Sequence, residues 1–593
     1  MADRRRPAAM VACLALAALA GCATLPTRGQ ALPVKEPPTG LGQGTDYPQL
    51  IPAAPGKGWR PEQIVAGFLA ASASFSQDHA FARLYLAPQW ARTWNPGWAV
   101  TVVSGQPAPQ LLLPKYINKP ANNPRVTSVG VTGVQLASIS ANGQYQQVVS
   151  GPPRTIKFSL TKVNGQWRIT HPPNRLLLSN SEFHRVYQPR NLYYFDSTSK
   201  NLVPDPVFVP LQATSTDLAK RLVAALGQQP VGWLQGATQT AFPRGTRQLS
   251  PVKIEGSAAV VNLGGTIAGA SSETLRNVAA QLVWTLTSAS YGPSAITSVR
   301  LEVNGEPQQI PGSPNGIAAR RTYSYMVPVP RADAGLYFVA ANKTVQSLTA
   351  SGAAEPAPVP GQAGTGAVPM TAIAVSPVTS GTPALAGIAA NGRDVEIGAL
   401  TKDAKLDRWR PGGKVTSLSW DRAGDLWAAT SKGVWLLQPD SKAATPIDVP
   451  LDGQQQVTVL RVAPDGVRVA MIVRGPHGSH VMVGAITRSG SAASIGTPVQ
   501  VGSKVAQPGA VSWYDADNLA VLVGAGTAGA QIHKVPVNGG QPTELAPDAN
   551  AVSLTVGGGQ IVVGNSSGRM ATYVVSTDNW RPLPDGQAPA YPG

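Results

Sequence analysis

Cysteine is nearly absent from this chain: 593 residues carry only Cys13 and Cys22. Two cysteines exclude a framework of disulfides. Histidine is scarce as well, with six in all. His79, His171, His184 and His533 are scattered, and only His477 and His480 share a turn, GPHGSH. A catalytic zinc takes three protein ligands, so this pair reads as a solvated loop. Charged residues make up 13% of the chain, too few for long charged helices. No apolar run reaches the ~20 residues that a membrane-crossing helix needs.

What the chain does have is glycine (61) and proline (54) in quantity, with 43% hydrophobic residues. That mixture favours packed cores built from short strands and many turns. The formal charge is +17, and it is unevenly spread. Residues 59–188 hold twelve Lys and Arg against three Asp and Glu, a net of +9; residues 189–316 hold nine against seven, a net of +2. The excess is either a generally basic, solvated surface or a patch for anionic lipid headgroups, acidic envelope polymers or an acidic protein face.

The first residues, MADRRRPAAMVACLALAALAGCATLPTRG, settle the expected compartment. Arg4, Arg5 and Arg6 form a positive start, Ala8 to Ala18 an apolar stretch, and small residues follow, as in a secretory signal. Leu19-Ala20-Gly21-Cys22 matches the bacterial lipobox. Small side chains at 20 and 21 suit the signal peptidase, and the Cys22 thiol accepts a diacylglyceryl group. Cys22 then becomes the N-terminus and carries N-palmitoyl and S-diacylglycerol chains, and several chains anchor stably where one is marginal. Localisation on the extracytoplasmic face of the cell membrane follows, and nucleic acid is not an expected partner.

Five segments are expected: signal peptide 1–21, a lipidated Pro/Gly-rich tether 22–58, then domains at 59–188, 189–316 and 317–593. In the first domain, Ile64, Val65, Phe68, Leu69 and Phe75 mark a helix over 61–77, with Pro61 in its first turn. A shorter helix with Phe81, Leu84 and Tyr85 is expected to end near Pro88. Strand patterns follow at 98–103, 126–140, 145–150 and 155–163, with Asn164-Gly165 as a hairpin turn. Helices packed on a bent antiparallel sheet fit this order and resemble the NTF2-like cone. Trp90, Trp94, Trp98 and Trp167 either fill its core or line a pocket; no acid, base or metal cluster accompanies them, which favours core.

The second domain reads strand (NLYYFD), helix (215–230, with Leu218, Leu222, Val223 and Leu226 on one face), strands at 252–256 and 258–264, then a strong helix. That helix, capped by Ser272, turns Leu275, Val278, Ala279, Leu282, Val283 and Leu286 inward. AITSVRLEVNG closes the unit. This α/β order, with AQLVWTL and VRLEVNG, resembles the GerMN domain of spore-germination and envelope proteins.

The last ~260 residues contain no convincing helix. A strand–turn–strand repeat recurs, aligned at Tyr337, Ala386, Leu426, Val469, Leu519 and Ile561, with steps of 49, 40, 43, 50 and 42. This spacing suits the four-stranded blades of a β-propeller. Six blades are visible; a seventh could use 317–330. Residues 349–369 read as a low-complexity loop. The overall class is therefore multidomain α+β and all-β: an NTF2-like α+β domain, a GerMN-like α/β domain and a six- or seven-bladed propeller.

Catalytic patterns fail on context. Gly524-Ala525-Gly526-Thr527-Ala528-Gly529 matches GxGxxG, but a strand follows where a phosphate site needs a helix N-terminus. Gly564-Asn565-Ser566-Ser567-Gly568 matches GxSxG, but it also joins two strands. Asp421, Asp425, Asp465, Asp515 and Asp517 recur before inner strands, where such residues stabilise turns; a ring of them at the channel mouth is the alternative. No catalytic residue, metal or cofactor is expected, and the chain reads as a non-enzyme.

Lipobox, tether, NTF2-like segment, GerMN-like segment and propeller, in this order, resemble the LpqB family of actinobacterial lipoproteins over nearly the whole chain. The resemblance implies an accessory regulator of the MtrA–MtrB two-component system. It would contact the extracellular domain of the sensor histidine kinase MtrB and so affect growth, division and envelope homeostasis. It carries over one functional residue, Cys22. Capture of an envelope glycan or lipid is the alternative function.

Overall fold

The first described helix, Pro61–Ser72, starts at a proline that fits the first turn, and the Gln63 side chain accepts from the Arg60 N–H at 2.9 Å. It buries Ile64, Val65, Phe68 and Leu69. The computed structural model describes residues 52–593 apart from short internal stretches, the longest being 112–125. The helix expected to reach residue 77 stops at Ser72, and Phe75 lies beyond it. Pro88 begins a helix, Pro88–Thr93, where it was expected to end one. A proline lacks only an N–H that the first turn leaves unpaired anyway.

Two four-stranded sheets flank this helix. One runs Tyr145–Gln147, Gln135–Ile139, Val100–Val103, Leu176–Ser179; the other runs Ala108–Leu111, Val126–Gly133, Arg154–Val163, Gln166–Thr170. Only Val134 separates the strands Val126–Gly133 and Gln135–Ile139, so the chain passes directly from sheet to sheet. The expected antiparallel arrangement fails at one ladder, since Val100–Val103 pairs with Leu176–Ser179 in parallel. Asn164 and Gly165 adopt φ of 50° and 76°, the left-handed pair that a tight hairpin turn requires.

A long hairpin, Tyr187–Asp196 with Leu202–Pro210, leads into the middle domain. The second of these strands was not expected, because Pro204, Pro206 and Pro210 argue against a strand. They fall on alternate residues of an edge strand, so their missing N–H groups all face away from the partner. The strands Ala258–Gly264 and Ser298–Val303 pair in parallel, with the helix Ser272–Ser288 crossing between them. That helix buries the six residues expected of it. Its cap is Ser271, not Ser272: the Ser271 hydroxyl accepts from the Thr274 N–H at 3.2 Å. Residues 317–319, expected with a seventh blade, instead pair with Ser298–Arg300 in this sheet.

Six sheets follow, each the blade of a propeller. Their innermost strands contact one another around the axis. The last strand, Gln587–Ala590, pairs with Leu336–Val339 and closes the ring. Within the loop expected at 349–369, Ala357–Pro358 forms the outer strand of the first blade. The inner strands of the other five blades carry the same irregularity near their start, centred on Thr371, Thr416, Thr458, Gly509 and Val552.

The middle domain and the propeller share one core. A single hydrophobic cluster runs from Leu222, Leu282 and Leu301 through to Val483, Val511, Leu519 and Val535, in the fourth and fifth blades. The hairpin joins the other end, with Tyr187 and Phe208 buried in the first domain's cluster.

Candidate functional site

The expected lipidation residue Cys22 and the expected signal-recognition residues Leu19, Ala20 and Gly21, like Trp98, lie outside the described residues. The remaining candidates are placed by the fold.

In the first domain, aromatic residues pack on one another. Phe68 meets Trp94 at 5.2 Å and Phe158 at 6.0 Å between ring centroids. Trp94 is buried and donates through Nε1 to the Pro173 carbonyl at 2.9 Å. Trp90 and Trp167 are half-buried and pack against the same cluster. Among the described residues, these aromatic side chains belong to the domain's hydrophobic cluster.

The five aspartates hold turns and joints. Asp421 Oδ1 accepts from the N–H groups of Ala423 (2.8 Å) and Asp425 (3.1 Å), and Oδ2 from Trp427 Nε1 at 2.8 Å. Arg488, from the fourth blade, spans Asp421 and Asp425. Burial is the main cause of the raised Asp421 pKa, and Arg488 opposes it. Asp465 accepts from the N–H groups of Val467 and Arg468 and forms an ion pair with Arg468 Nε at 2.7 Å. Asp515 accepts from the Asp517 N–H at 2.7 Å. Asp517 accepts from Asn191 Nδ2 at 2.7 Å, a hydrogen bond between propeller and middle domain. Burial raises the Asp517 pKa, and Asn191 and Arg468 offset part of that rise. Asp421, Asp465 and Asp515 are engaged at their own turns, Asp425 by Arg488 and Asp517 by Asn191, so they form no ring of free ligands.

The glycine-rich segment 524–529 joins the strands Asn518–Val523 and Gln531–Pro536. At 564–568, Asn565 Oδ1 accepts from the Ser567 and Arg569 N–H groups, a side-chain-closed turn between strands. His480 Nδ1 lies 3.3 Å from Gln500 Nε2. Among the described residues no group of three or more His, Cys, Asp or Glu is placed to hold a metal ion.

One cavity went unnoticed in the sequence. It measures about 290 Å³ and is lined in part by Pro369, Asn391, Asp394, Glu396 and Arg408. Both carboxylates are buried. Arg410 grips Asp394 through two hydrogen bonds, at 2.6 and 2.9 Å, and Arg408 Nε meets Glu396 at 2.7 Å. Hydrogen bonds from Arg410 and Asn391 pull the Asp394 pKa down to about 2. The only available signal was cross-strand: Glu396 and Arg408 are ladder partners. These groups neutralise one another, so the cavity offers no reactive residue.

A six-bladed propeller fused through a common core to an α/β domain, with an α+β domain before it, defines a multidomain α+β and all-β protein. The family model for the N-terminal domain of lipoprotein LpqB matches residues 54–184, and that for the lipoprotein LpqB β-propeller domain matches 346–592. A model described as sporulation and spore germination matches 191–309. Lipoprotein LpqB of Thermobifida fusca is 31% identical across 100% of this chain and 99% of its own length. The Streptomyces avermitilis lipoprotein LpqB is 28% identical across 97% and 96%, and that of Mycobacterium bovis 25% across 97% and 98%. The chain belongs to the LpqB family of lipoproteins, which is not a known enzyme family. Membrane attachment follows from that membership; among the described residues no helix is long and apolar enough to cross a membrane. Among solved structures, the nidogen/laminin complex is similar at a TM-score of 0.33 and 11% identity, over 43% of this chain and 97% of that one. Virginiamycin B lyase of Staphylococcus aureus reaches 0.28 and 15%, over 43% and 85%. These scores are too low to bear on function.

Proposed function

We propose that the chain is a non-enzymatic accessory regulator, held by lipid on Cys22 at the extracytoplasmic face of the cell membrane. Its partner is the extracellular domain of an MtrB-like sensor histidine kinase, and its outputs are growth, division and envelope homeostasis. The observation that carries this reading is the shared core. Middle domain and propeller form a continuous body with one hydrophobic cluster, a rigid surface suited to recognising a partner's shape. Confinement by the anchor raises the effective concentration of a weak interface with another membrane protein. Binding one signalling state of the kinase better than the other then shifts its population.

Crosslinking of the lipidated protein in intact cells, followed by mass spectrometry, tests this. Recovery of a sensor kinase ectodomain supports it, and the crosslinked residues locate the face. Recovery of glycan or lipid with no kinase overturns it in favour of envelope-ligand capture, for which the net +9 of residues 59–188 is the supporting observation.

A further inference from the structure

The inner strands of blades two to six share one irregularity, and the closing strand completes the ring, so equivalent positions can be matched around the axis. One layer consists of Ala374, Ser419, Arg461, Ser512, Thr555 and Ala590. Five of these are small. Three use a hydroxyl to latch the next inner strand: Ser419 Oγ accepts from the Val462 N–H (3.0 Å), Ser512 Oγ from Val556 (3.2 Å) and Thr555 Oγ1 from Tyr591 (3.4 Å). Where Ala374 lacks a hydroxyl, the next blade supplies the bond instead: Trp420 Nε1 donates to the Ala374 carbonyl at 3.2 Å. The fourth blade does the same, with Trp513 Nε1 donating to the Arg461 carbonyl at 3.0 Å. The blades are therefore joined at this point without the Arg461 side chain.

That side chain turns back along the channel-facing edge of the strands. Its Nη1 donates to Ser417 Oγ (2.6 Å) and to the carbonyls of Leu418 (3.1 Å) and Leu460 (2.8 Å). Among the described residues no carboxylate meets it. Nε and Nη2, the two donors on one edge of the guanidinium, make no hydrogen bond to the described protein and are not sealed from solvent. This edge is the fork that grips a carboxylate or phosphate with two parallel bonds. A guanidinium stays charged, and a desolvated charge calls for a counter-charge. Burial pulls its pKa down to about 10, with no acidic group opposing the shift.

We propose that the axial channel of the propeller binds an oxyanion, carboxylate or phosphate, on the open fork of Arg461. Arg461 is the recognition residue, and Ser417 with the two carbonyls holds its guanidinium in place. The site is independent of any protein partner on the outer surface.

The test is a thermal titration of the full chain in detergent with sodium phosphate, and separately with sodium acetate, at ionic strength held constant with sodium chloride. The wild-type Tm is expected to rise and saturate with at least one of the two oxyanions. Arg461→Ser restores the hydroxyl found at Ser419 and Ser512 and is expected not to respond. Arg461→Lys keeps the charge but not the fork, and should need at least tenfold more anion. A lower saturating concentration for phosphate identifies a phosphoryl ligand, and the reverse a carboxylate. An unchanged wild-type Tm, or equal responses in wild type and Arg461→Ser, overturns the proposal. If Arg461→Ser does not fold, crystals of the wild-type chain grown in phosphate decide. Phosphate at hydrogen-bond distance from Nε and Nη2 supports the site, and water or chloride alone there overturns it.

Discussion

Arg468 and Asp465 are both nearly inaccessible, at 2% and 3% side-chain exposure, and they face each other at 2.7 Å. Breaking such a pair from one side leaves a buried charge without compensation, which costs about 3–5 kcal/mol. Arg468→Met should lower urea-unfolding stability by that amount, and the double variant Asp465→Asn with Arg468→Met should recover most of it. The Asp394–Arg410 pair predicts a pH effect. The folded-state pKa of Asp394, about 2, lies below its ordinary value of 3.8. A depressed carboxylate contributes stability that is complete above the ordinary pKa and lost as pH falls through the folded one. Thermal midpoints should therefore decline as pH drops from about 4 to about 2, and Asp394→Asn should flatten that part of the curve. At this scale the sequence disclosed the turn-holding aspartates, because an Asp recurring just ahead of an inner strand is a local signal. It concealed Arg461 and the Asp394 cluster, whose meaning comes from residues on neighbouring strands.

Among the elements, the closing strand Gln587–Ala590 has the largest consequence. It gives the first blade its innermost strand, with Tyr337 opposite Ala590 and Val339 opposite Gln587. Deleting residues 587–593 should expose the unpaired edge of Leu336–Val339. The expected result is a lower melting temperature and limited proteolysis that begins in the first blade; an unchanged digestion pattern would contradict the closure. The repeat of strand, turn and strand was legible because each blade needs its own alternating pattern and its own turn residues. The edge strand Leu202–Pro210 was not, since its tolerance of three prolines depends on which side of the ladder is free. The seventh blade failed for a related reason: residues 317–319 have strand character, but their partner is Ser298–Arg300 in the middle domain.

For the whole molecule, the cluster running from Leu282 to Leu519 and Val535 predicts joint unfolding. Calorimetry of the full chain should show the middle domain and propeller melting in one transition; two well-separated transitions for them would refute a common core. Family membership was legible in the domain order, and so was the multidomain class, because hydrophobic periodicity and turn spacing are properties of consecutive residues. The Leu19-Ala20-Gly21-Cys22 pattern, too, is local and needs no fold to be read. Only the tertiary structure decided the blade number, the aromatic packing of the first domain, the joint between Asn191 and Asp517 and the contacts of the Arg461 guanidinium. Each of these depends on which distant segments come within bonding distance, and spacing along the chain carries no record of that.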